Sequence, residues 1–535
     1  MLSPRDDTAS IVVDAPDSVL EGTRLPATLV PVPRRLPLRL HPEARTYRWT
    51  MPLLALIVAG GTVLRVYGLD RLGFNSDEAV YAGQAASIAR VKSFTPFFPI
   101  YRAHPLLYQA LLSLIYRFEV SDFAARLLAV LGGLATVVLG YSLGKVLYGR
   151  RAGLATAAVL AIMPYHVITT RQALLDGTET LFATLALYAL ARYSLSKNPR
   201  WMYALGAALG LTFLSKETGI VLVAAVFAFL ALSPDVPTRI RDLAGTSAVF
   251  GAIVFIYPLS IALGGASRTG KSFFVWQLVR RPNHSYLFYF TTALPAMGFL
   301  VITTAIVGIA VLWRDRSWRE TLLLSWALVP LAFFTLWPVK GFQYLLPIAP
   351  AVAVLAGRVL GQLPIGRGFH YARVTVSVIL LMTIGGSLVE ESWSRISPST
   401  SDTFLAGSGG VPGGREAGTW LRTNVPADAR LLALGPSMAN ILQFYGNRKV
   451  WGLSVSTNPL RRNPVYQPVG NPDLAIRRGD IQYLVWDSYS ANRSPTFGAQ
   501  LLGYVNRFHG RAVHTQSVAS GSAKQPVIVI YSVQP

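Results

Sequence analysis

Two adjacent carboxylates, Asp77 and Glu78, stand in the segment L-G-F-N-S-D-E-A at positions 72–79, directly after the first apolar stretch of membrane length. A carboxylate held where a chain has just left the bilayer can take a proton from a hydroxyl, and so act on a lipid-borne substrate. Other ionisable residues recur at comparable places. They are Arg102 and His104, the run R-Q-A-L-L-D from Arg171 to Asp176, Lys216 and Glu217 in L-S-K-E-T-G, and Lys340 and Tyr344 in P-V-K-G-F-Q-Y. The stretch 265–285 adds Arg268, Lys271, Arg280, Arg281 and His284, interleaved with Phe273, Phe274 and Trp276. Such a basic segment suits an anionic partner, either lipid headgroups or a phosphate-linked substrate.

Each motif also has a plainer reading. Asn75 or Ser76 can cap a helix whose first turn favours carboxylates, so the acidic pair can simply complement a helix terminus. Its place in an outer loop of about 50 residues favours function, because structureless loops rarely run so long. Arg171 and Asp176 can pair and snorkel at a membrane edge, or line a cavity. Lys216 and Glu217 read as an adjacent salt pair at a helix end. Lys340 can anchor at the headgroups or bind a phosphate as a point charge.

The elements that must position these residues are mostly membrane helices. Of 535 residues, 52% are hydrophobic and only 14% charged, against about 25% charged in soluble domains. The net charge of +23 reads as cytoplasmic loop charge rather than nucleic-acid binding. The chain has no cysteine, which removes disulfide and thiol chemistry. No Walker A, G-x-G-x-x-G or H-E-x-x-H motif occurs. Residues 1–49 lack a signal-peptide core and read as a disordered cytoplasmic tail, basic before the membrane at Arg34, Arg35, Arg39, Arg45 and Arg48.

Apolar windows across 50–392 predict about eleven crossings. The segment 104–118 spans only about 22 Å as a helix and is assigned to the interface. That assignment puts the basic loops around Lys145, Arg192, Arg239, Arg314 and Arg358 in the cytoplasm, as the positive-inside rule requires. It also places every candidate residue named above, the first outer loop 70–123 and the C-terminus on the outer side. Residues 393–414 read as a linker. Residues 415–535 alternate strand-like and helical runs and predict a small extracytoplasmic α/β domain.

Together, N-S-D-E after the first helix, A-H-P-L-L-Y, R-Q-A-L-L-D, L-S-K-E-T-G and K-G-F-Q-Y-L-L-P-I-A-P resemble the dolichyl-phosphate-mannose–protein mannosyltransferase superfamily, over roughly residues 50–390. The resemblance implies a GT-C-type polytopic helical membrane protein of the plasma membrane. It implies an enzyme that takes a sugar from a polyprenyl phosphate on the outer leaflet and gives it to a protein, lipid or cell-wall glycan. Asp77 then matches the general base and Glu78 its neighbour, orienting an acceptor or an ion. Arg171 and Asp176 match the second charged motif. Lys340 matches the late-loop base that neutralises the departing phosphate, with Arg171, Arg280 and Arg281 as further phosphate contacts. Relatives often carry Arg where Gln343 stands. The resemblance assigns no certain cofactor. A divalent cation is left open, with Asp77, Glu78 and His104 as candidate ligands. A polytopic lipid or polysaccharide transporter also accounts for the crossings and the basic loop. It does not account for the long acidic first loop, and no repeat symmetry is visible.

Overall fold

The computed structural model describes residues 47–100, 104–311, 317–361, 370–397, 410–520 and 523–535. The expected tail up to position 46, Arg102, and positions 398–409 of the expected linker lie outside the described residues. Arg48–Pro535 forms one compact unit.

The chain opens with α1 (Tyr47–Val66), α2 (Ser76–Ile88), α3 (Leu107–Tyr116), α4 (Asp122–Tyr148), α5 (Arg150–Ile162), α6 (Pro164–Thr170), α7 (Leu175–Ser196) and α8 (Pro199–Ser215). After a 3-10 turn at Glu217–Ile220 come α9 (Val221–Leu232), α10 (Ile240–Val254), α11 (Ile256–Leu263), α12 (Ser267–Val279), α13 (Phe288–Thr291), α14 (Ala293–Ala296), α15 (Phe299–Val311) and α16 (Trp318–Leu336). A second 3-10 segment, Phe342–Ile348, leads into α17 (Ala349–Gly361) and α18 (His370–Ile396).

Among the described residues, five helical segments are long and apolar enough to cross a membrane, and seven if each of two bent pairs counts as one span. Sequence windows predict about eleven. The difference lies in helices that are short or carry charge within their length. α7 includes Asp176, Glu179 and Arg192, α8 has 17 residues, and α9 has 12. Large apolar side chains nevertheless face outward along the helices, among them Leu56, Val63, Leu259, Leu263, Phe299 and Ile306. A surface of that kind is stable against lipid rather than water.

A kink brings one of the charged loops into place. α5 and α6 meet at 58°, because Pro164 has no N–H to give the Leu160 carbonyl. The fully buried Arg65 of α1 donates instead, to Leu160 O at 3.2 Å and Ala161 O at 2.7 Å. Ser392 of α18 donates to Ile162 O at 2.7 Å. The carbonyls released by the break are thus satisfied from neighbouring helices, as a broken helix at membrane depth requires. Arg65→Met is expected to lower the thermal midpoint in detergent, since each orphaned buried carbonyl costs about 1–3 kcal/mol. An unchanged melting curve would show that the kink holds without Arg65.

Residues 410–535 carry α19 (Gly414–Asn424), β1 (Arg430–Ala433), α20 (Pro436–Gly446), β2 (Lys449–Gly452), α21 (Pro472–Arg477), β3 (Tyr483–Asp487), α22 (Ser488–Arg493), α23 (Pro495–Arg507), β4 (Arg511–Ser520) and β5 (Ala523–Ser532). The five-stranded sheet has the order β2-β1-β3-β5-β4. β1 runs parallel to β2 and β3, and β5 runs antiparallel to β3 and β4. The sequence pattern misses β4, an edge strand whose R-A-V-H-T-Q-S-V-A-S run is largely polar. An edge strand lacks the second apolar neighbour that would make it legible.

This sheet layer shares its core with the first loop. Phe74 and Phe94 pack on Phe444 of α20 at ring separations of 5.1 Å each. Tyr445 Oη donates to Asp122 Oδ2 at 2.5 Å and accepts from the Phe74 N–H at 2.7 Å. Arg415 reaches Asp122 at 2.9 Å and the Asp70 carbonyl at 2.7 Å. The two segments approach backbone to backbone. A Cβ at Gly73 would lie 2.8 Å from Arg415 Cβ, which is why glycine stands there.

Candidate active site

The acidic pair opens α2, and the local cap decides what each member does. Asn75 Oδ1 accepts from the Asp77 and Glu78 N–H groups at 2.9 Å each, and Glu78 Oε2 accepts from the Asn75 N–H at 3.0 Å. This is a capping box. Successive helical residues point about 100° apart, so the two carboxylates diverge.

Glu78 turns inward and is fully buried. Its oxygens accept from Arg126 Nε and Nη2, both at 2.8 Å, and from the Ala173 N–H at 2.9 Å. Arg126 also donates to the carbonyls of Leu69, Leu72 and Gly73. The expectation that Glu78 orients an acceptor or an ion meets a carboxylate whose lone pairs are already taken. The geometry makes Glu78 a strut that ties the first loop to α4 and to the start of the Ala173–Asp176 segment.

Asp77 faces the other way and is half-buried. It lies within electrostatic reach of His104, Lys216, Asp176 and Glu78. Burial pushes its pKa above the ordinary aspartate value. His104 and Lys216 pull it back, and Asp176 and Glu78 push it further up. Tyr81, one helical turn on, shares this space and packs edge-on against His104 at 6.1 Å.

The remaining charges form two interlocked pairs. Lys216 Nζ donates to Asp176 Oδ1 at 2.6 Å and lies 4.3 Å over the Tyr344 ring. His104 Nδ1 meets both Glu217 oxygens at 2.9 Å. Lys216 and Glu217 therefore do not pair with each other, as adjacent residues were expected to, because the backbone break after α8 sends their side chains to different partners. The signal for this pair in the sequence is the L-S-K-E-T-G motif itself, which ends an apolar run as the other charged motifs do.

Other expectations change as well. Arg171, expected as a phosphate contact or as Asp176's partner, donates to the carbonyls of Leu64, Arg65 and Tyr67 at 2.7, 2.9 and 2.7 Å. It thereby caps the C-terminal end of α1, where carbonyls lack intrahelical donors. Lys340 is almost fully buried, with Nζ on the Trp337 carbonyl at 2.7 Å and 5.1 Å over Tyr286. Asn283 holds its backbone from both sides at 2.8 Å. In the basic segment, Arg280 joins the site, in electrostatic contact with Tyr344 and Asp77 and 4.4 Å over Trp276. Arg281 is exposed. Phe273 is buried 5.3 Å from His104, so α12 folds across the charged cluster.

Among the described residues no group of three or more His, Asp or Glu is arranged to hold a metal ion. The expected set of Asp77, Glu78 and His104 does not assemble, because Glu78 is committed to Arg126 and His104 to Glu217.

The His104–Glu217 pair predicts a pH dependence. Burial alone would lower the His104 pKa, but the charge and hydrogen bond of Glu217 raise it above the ordinary value. His104 in turn holds Glu217 below the ordinary glutamate value despite its burial. A raised histidine contributes stability below its unfolded pKa of about 6.5 and loses it as pH climbs through the folded value. A depressed glutamate contributes above about 4.5 and loses it as pH falls. The pair therefore stabilises most between these limits and weakens on the alkaline side. The melting midpoint of the wild-type protein should fall more steeply than that of His104→Gln as pH rises from 6 to 9. Parallel curves would remove the pair from the stability of the site.

Comparison with known proteins adds to this geometry. A family model described as dolichyl-phosphate-mannose-protein mannosyltransferase matches residues 103–261. The chain is 28% identical over 257 residues to an undecaprenyl phosphate-alpha-4-amino-4-deoxy-L-arabinose arabinosyl transferase of Serratia proteamaculans, covering 44% of this chain and 45% of that protein. The match to the Yersinia pestis enzyme of the same name is also 28% identical over 257 residues, covering 44% and 46%. The chain thus spans under half the length of these curated relatives. In fold, it superimposes on the crystal structure of ArnT from Cupriavidus metallidurans in the apo state with a TM-score of 0.64 at 15% identity, over 90% of this chain and 98% of that one. An Archaeoglobus fulgidus oligosaccharyltransferase in complex with Zn and sulfate gives 0.56 at 13% identity, over 89% and 73%.

Proposed function

We infer that this chain is a member of the GT-C mannosyltransferase-like superfamily, which it resembles in part of its sequence and in fold, and is a membrane glycosyltransferase that moves a sugar from a polyprenyl-phosphate carrier to an extracytoplasmic acceptor. The observation that carries this reading is the convergence of His104, Asp176, Lys216 and Arg280, drawn from separate segments, around the half-buried carboxylate of Asp77.

In this reading Asp77 takes the proton of an acceptor hydroxyl. The hydroxyl oxygen forms a bond to the anomeric carbon, and the bond from that carbon to the phosphate oxygen breaks. The electron pair leaves with the polyprenyl phosphate. A single displacement of this kind inverts the anomeric centre and needs one base and a cationic cradle. Arg280 is the cation in electrostatic contact with Asp77 that carries no carboxylate partner among the described residues. Lys216, neutralised in part by Asp176, adds positive potential behind it. Lys340 would reach a phosphate by leaving the Trp337 carbonyl. Water exclusion by α12 strengthens each of these terms.

The topology that goes with this chemistry has about eleven crossings, the N-terminus in the cytoplasm, and the site and C-terminal layer outside. The test is to incubate the purified protein in nanodiscs with radiolabelled polyprenyl-phosphate sugars and membrane acceptors. Label moving covalently to an acceptor, with release of polyprenyl phosphate, is the expected result. Passage of intact donor across the bilayer without bond cleavage would replace the enzyme by a transporter.

A further inference from the structure

A cavity of about 520 Å³ lies between the C-terminal sheet layer and the first loop. That volume is in the usual range for small-molecule sites. Its floor is the carboxyl end of two neighbouring parallel strands, β1 and β3. From β1 the chain turns through Gly435 into α20 and on to β2, while β3 pairs on the opposite side. In open α/β sheets this reversal of strand order opens the crevice where ligands bind. Across the cavity stand Asn75, Ser76 and Asp77.

A second observation points to a ligand. Asp487, the last residue of β3, lines the cavity and is 0% exposed. Its Oδ1 accepts from the Ser490 N–H at 2.7 Å, whereas Oδ2 has no hydrogen-bond partner among the described residues. A buried carboxylate oxygen left without a donor is costly, and in native structures it calls for a partner not yet in view. Burial also pushes the Asp487 pKa up to about 6, although Ser490 and Arg493 pull it down.

The remaining wall defines the class of that partner. Ser437, Ser490 and Asn492 offer hydroxyl and amide groups, and the Tyr489 ring provides an apolar face. Arg493 also lines the cavity and faces Asp487 electrostatically, so one cation stands against the carboxyls of Asp77 and Asp487, and the wall as a whole does not favour an anion. We propose that this cleft is the acceptor site and that it takes an uncharged sugar unit, one hydroxyl of which is presented to Asp77 while others donate to Asp487. The proposal rests on the reading of Asp77 as the base and adds the acceptor class to it. The sheet layer then acts as the part that chooses what Asp77 deprotonates.

The test uses the full chain in nanodiscs. Saturation-transfer NMR is recorded with methyl α-D-mannopyranoside, methyl β-D-galactopyranoside and methyl α-L-arabinofuranoside, and with a Ser/Thr/Asn-containing peptide as the rival class. At least one glycoside should show transfer, weakened about tenfold or more by Asp487→Leu, which removes hydrogen bonds to a charged group. Ser437→Trp, at an exposed position on the cavity wall, should fill the cleft without touching the core and give the same loss. It decides the matter if Asp487→Leu fails to fold. No transfer from any glycoside, or transfer that survives Ser437→Trp, overturns the cleft assignment. Peptide binding in place of glycoside overturns the class. Release of polyprenyl phosphate from labelled polyprenyl-phosphate mannose by the wild-type protein is scored separately. Failure there, with glycoside binding intact and lost in the variants, would sink the transferase reading and leave the sugar site standing.

Discussion

Asp77→Asn should abolish sugar transfer, by about 10²- to 10⁴-fold if the side chain is the general base, and should leave the melting midpoint unchanged or slightly higher. The second half follows from geometry. Among the described residues the Asp77 carboxylate makes no hydrogen bond or ion pair, while its backbone N–H is held by Asn75. Burial disfavours its ionised form and raises its pKa, so a neutral amide of the same shape removes a cost to folding. A raised pKa also brings a base closer to the working pH. The acid limb of transfer rate against pH should therefore lie above the ordinary aspartate value of about 3.9. Steady-state transfer from a labelled donor, run beside differential scanning fluorimetry, checks both halves. Retained transfer in Asp77→Asn would take Asp77 out of the mechanism.

The neighbouring carboxylate should behave in the opposite way. Glu78→Gln keeps the shape but leaves Arg126 buried without its counter-charge, and breaking a buried ion pair typically costs about 3–5 kcal/mol. The Asn75 and Ala173 N–H groups meet different oxygens of Glu78, so glutamine keeps an acceptor for one of them and turns its NH2 on the other, while the charge that holds Arg126 is lost. The expected result is a large drop in melting midpoint and yield, with loss of activity following loss of fold. A double variant, Glu78→Leu with Arg126→Met, should be less destabilised than Glu78→Leu alone, because neither member is then a stranded charge. Equal destabilisation in single and double variants would show that the pair acts independently of its charges. The contrast between two adjacent residues, one lost in rate and one in stability, is the sharpest separation of chemistry from scaffolding that this site offers.

Some of this was legible in the chain. Low charge content and repeated apolar windows mark a membrane protein, because hydrocarbon excludes charge and demands long helices. The N-S-D-E capping signal fixes the start of α2, because orphan N–H groups need a side-chain acceptor there. The motifs around Asp77, His104, Asp176 and Tyr344 all contribute to one site, since each follows or precedes an apolar run and so falls near a membrane edge. The strands β1, β2, β3 and β5 are readable from their apolar alternation.

Partner choice was settled only by the tertiary structure. Arg171 lies five residues from Asp176, yet it caps α1, and Asp176 takes Lys216 from another helix. Lys216 and Glu217 are adjacent, yet they answer to different partners. Glu78 and Asp77 have nearly the same chemistry, yet one is a strut and the other faces a cavity. The physical reason is common to all three. A side chain's type sets what it can bond to, and local spacing sets only the direction in which it leaves the backbone. Which donors and charges lie in that direction depends on how distant helices cross, and that is fixed by packing across the whole fold.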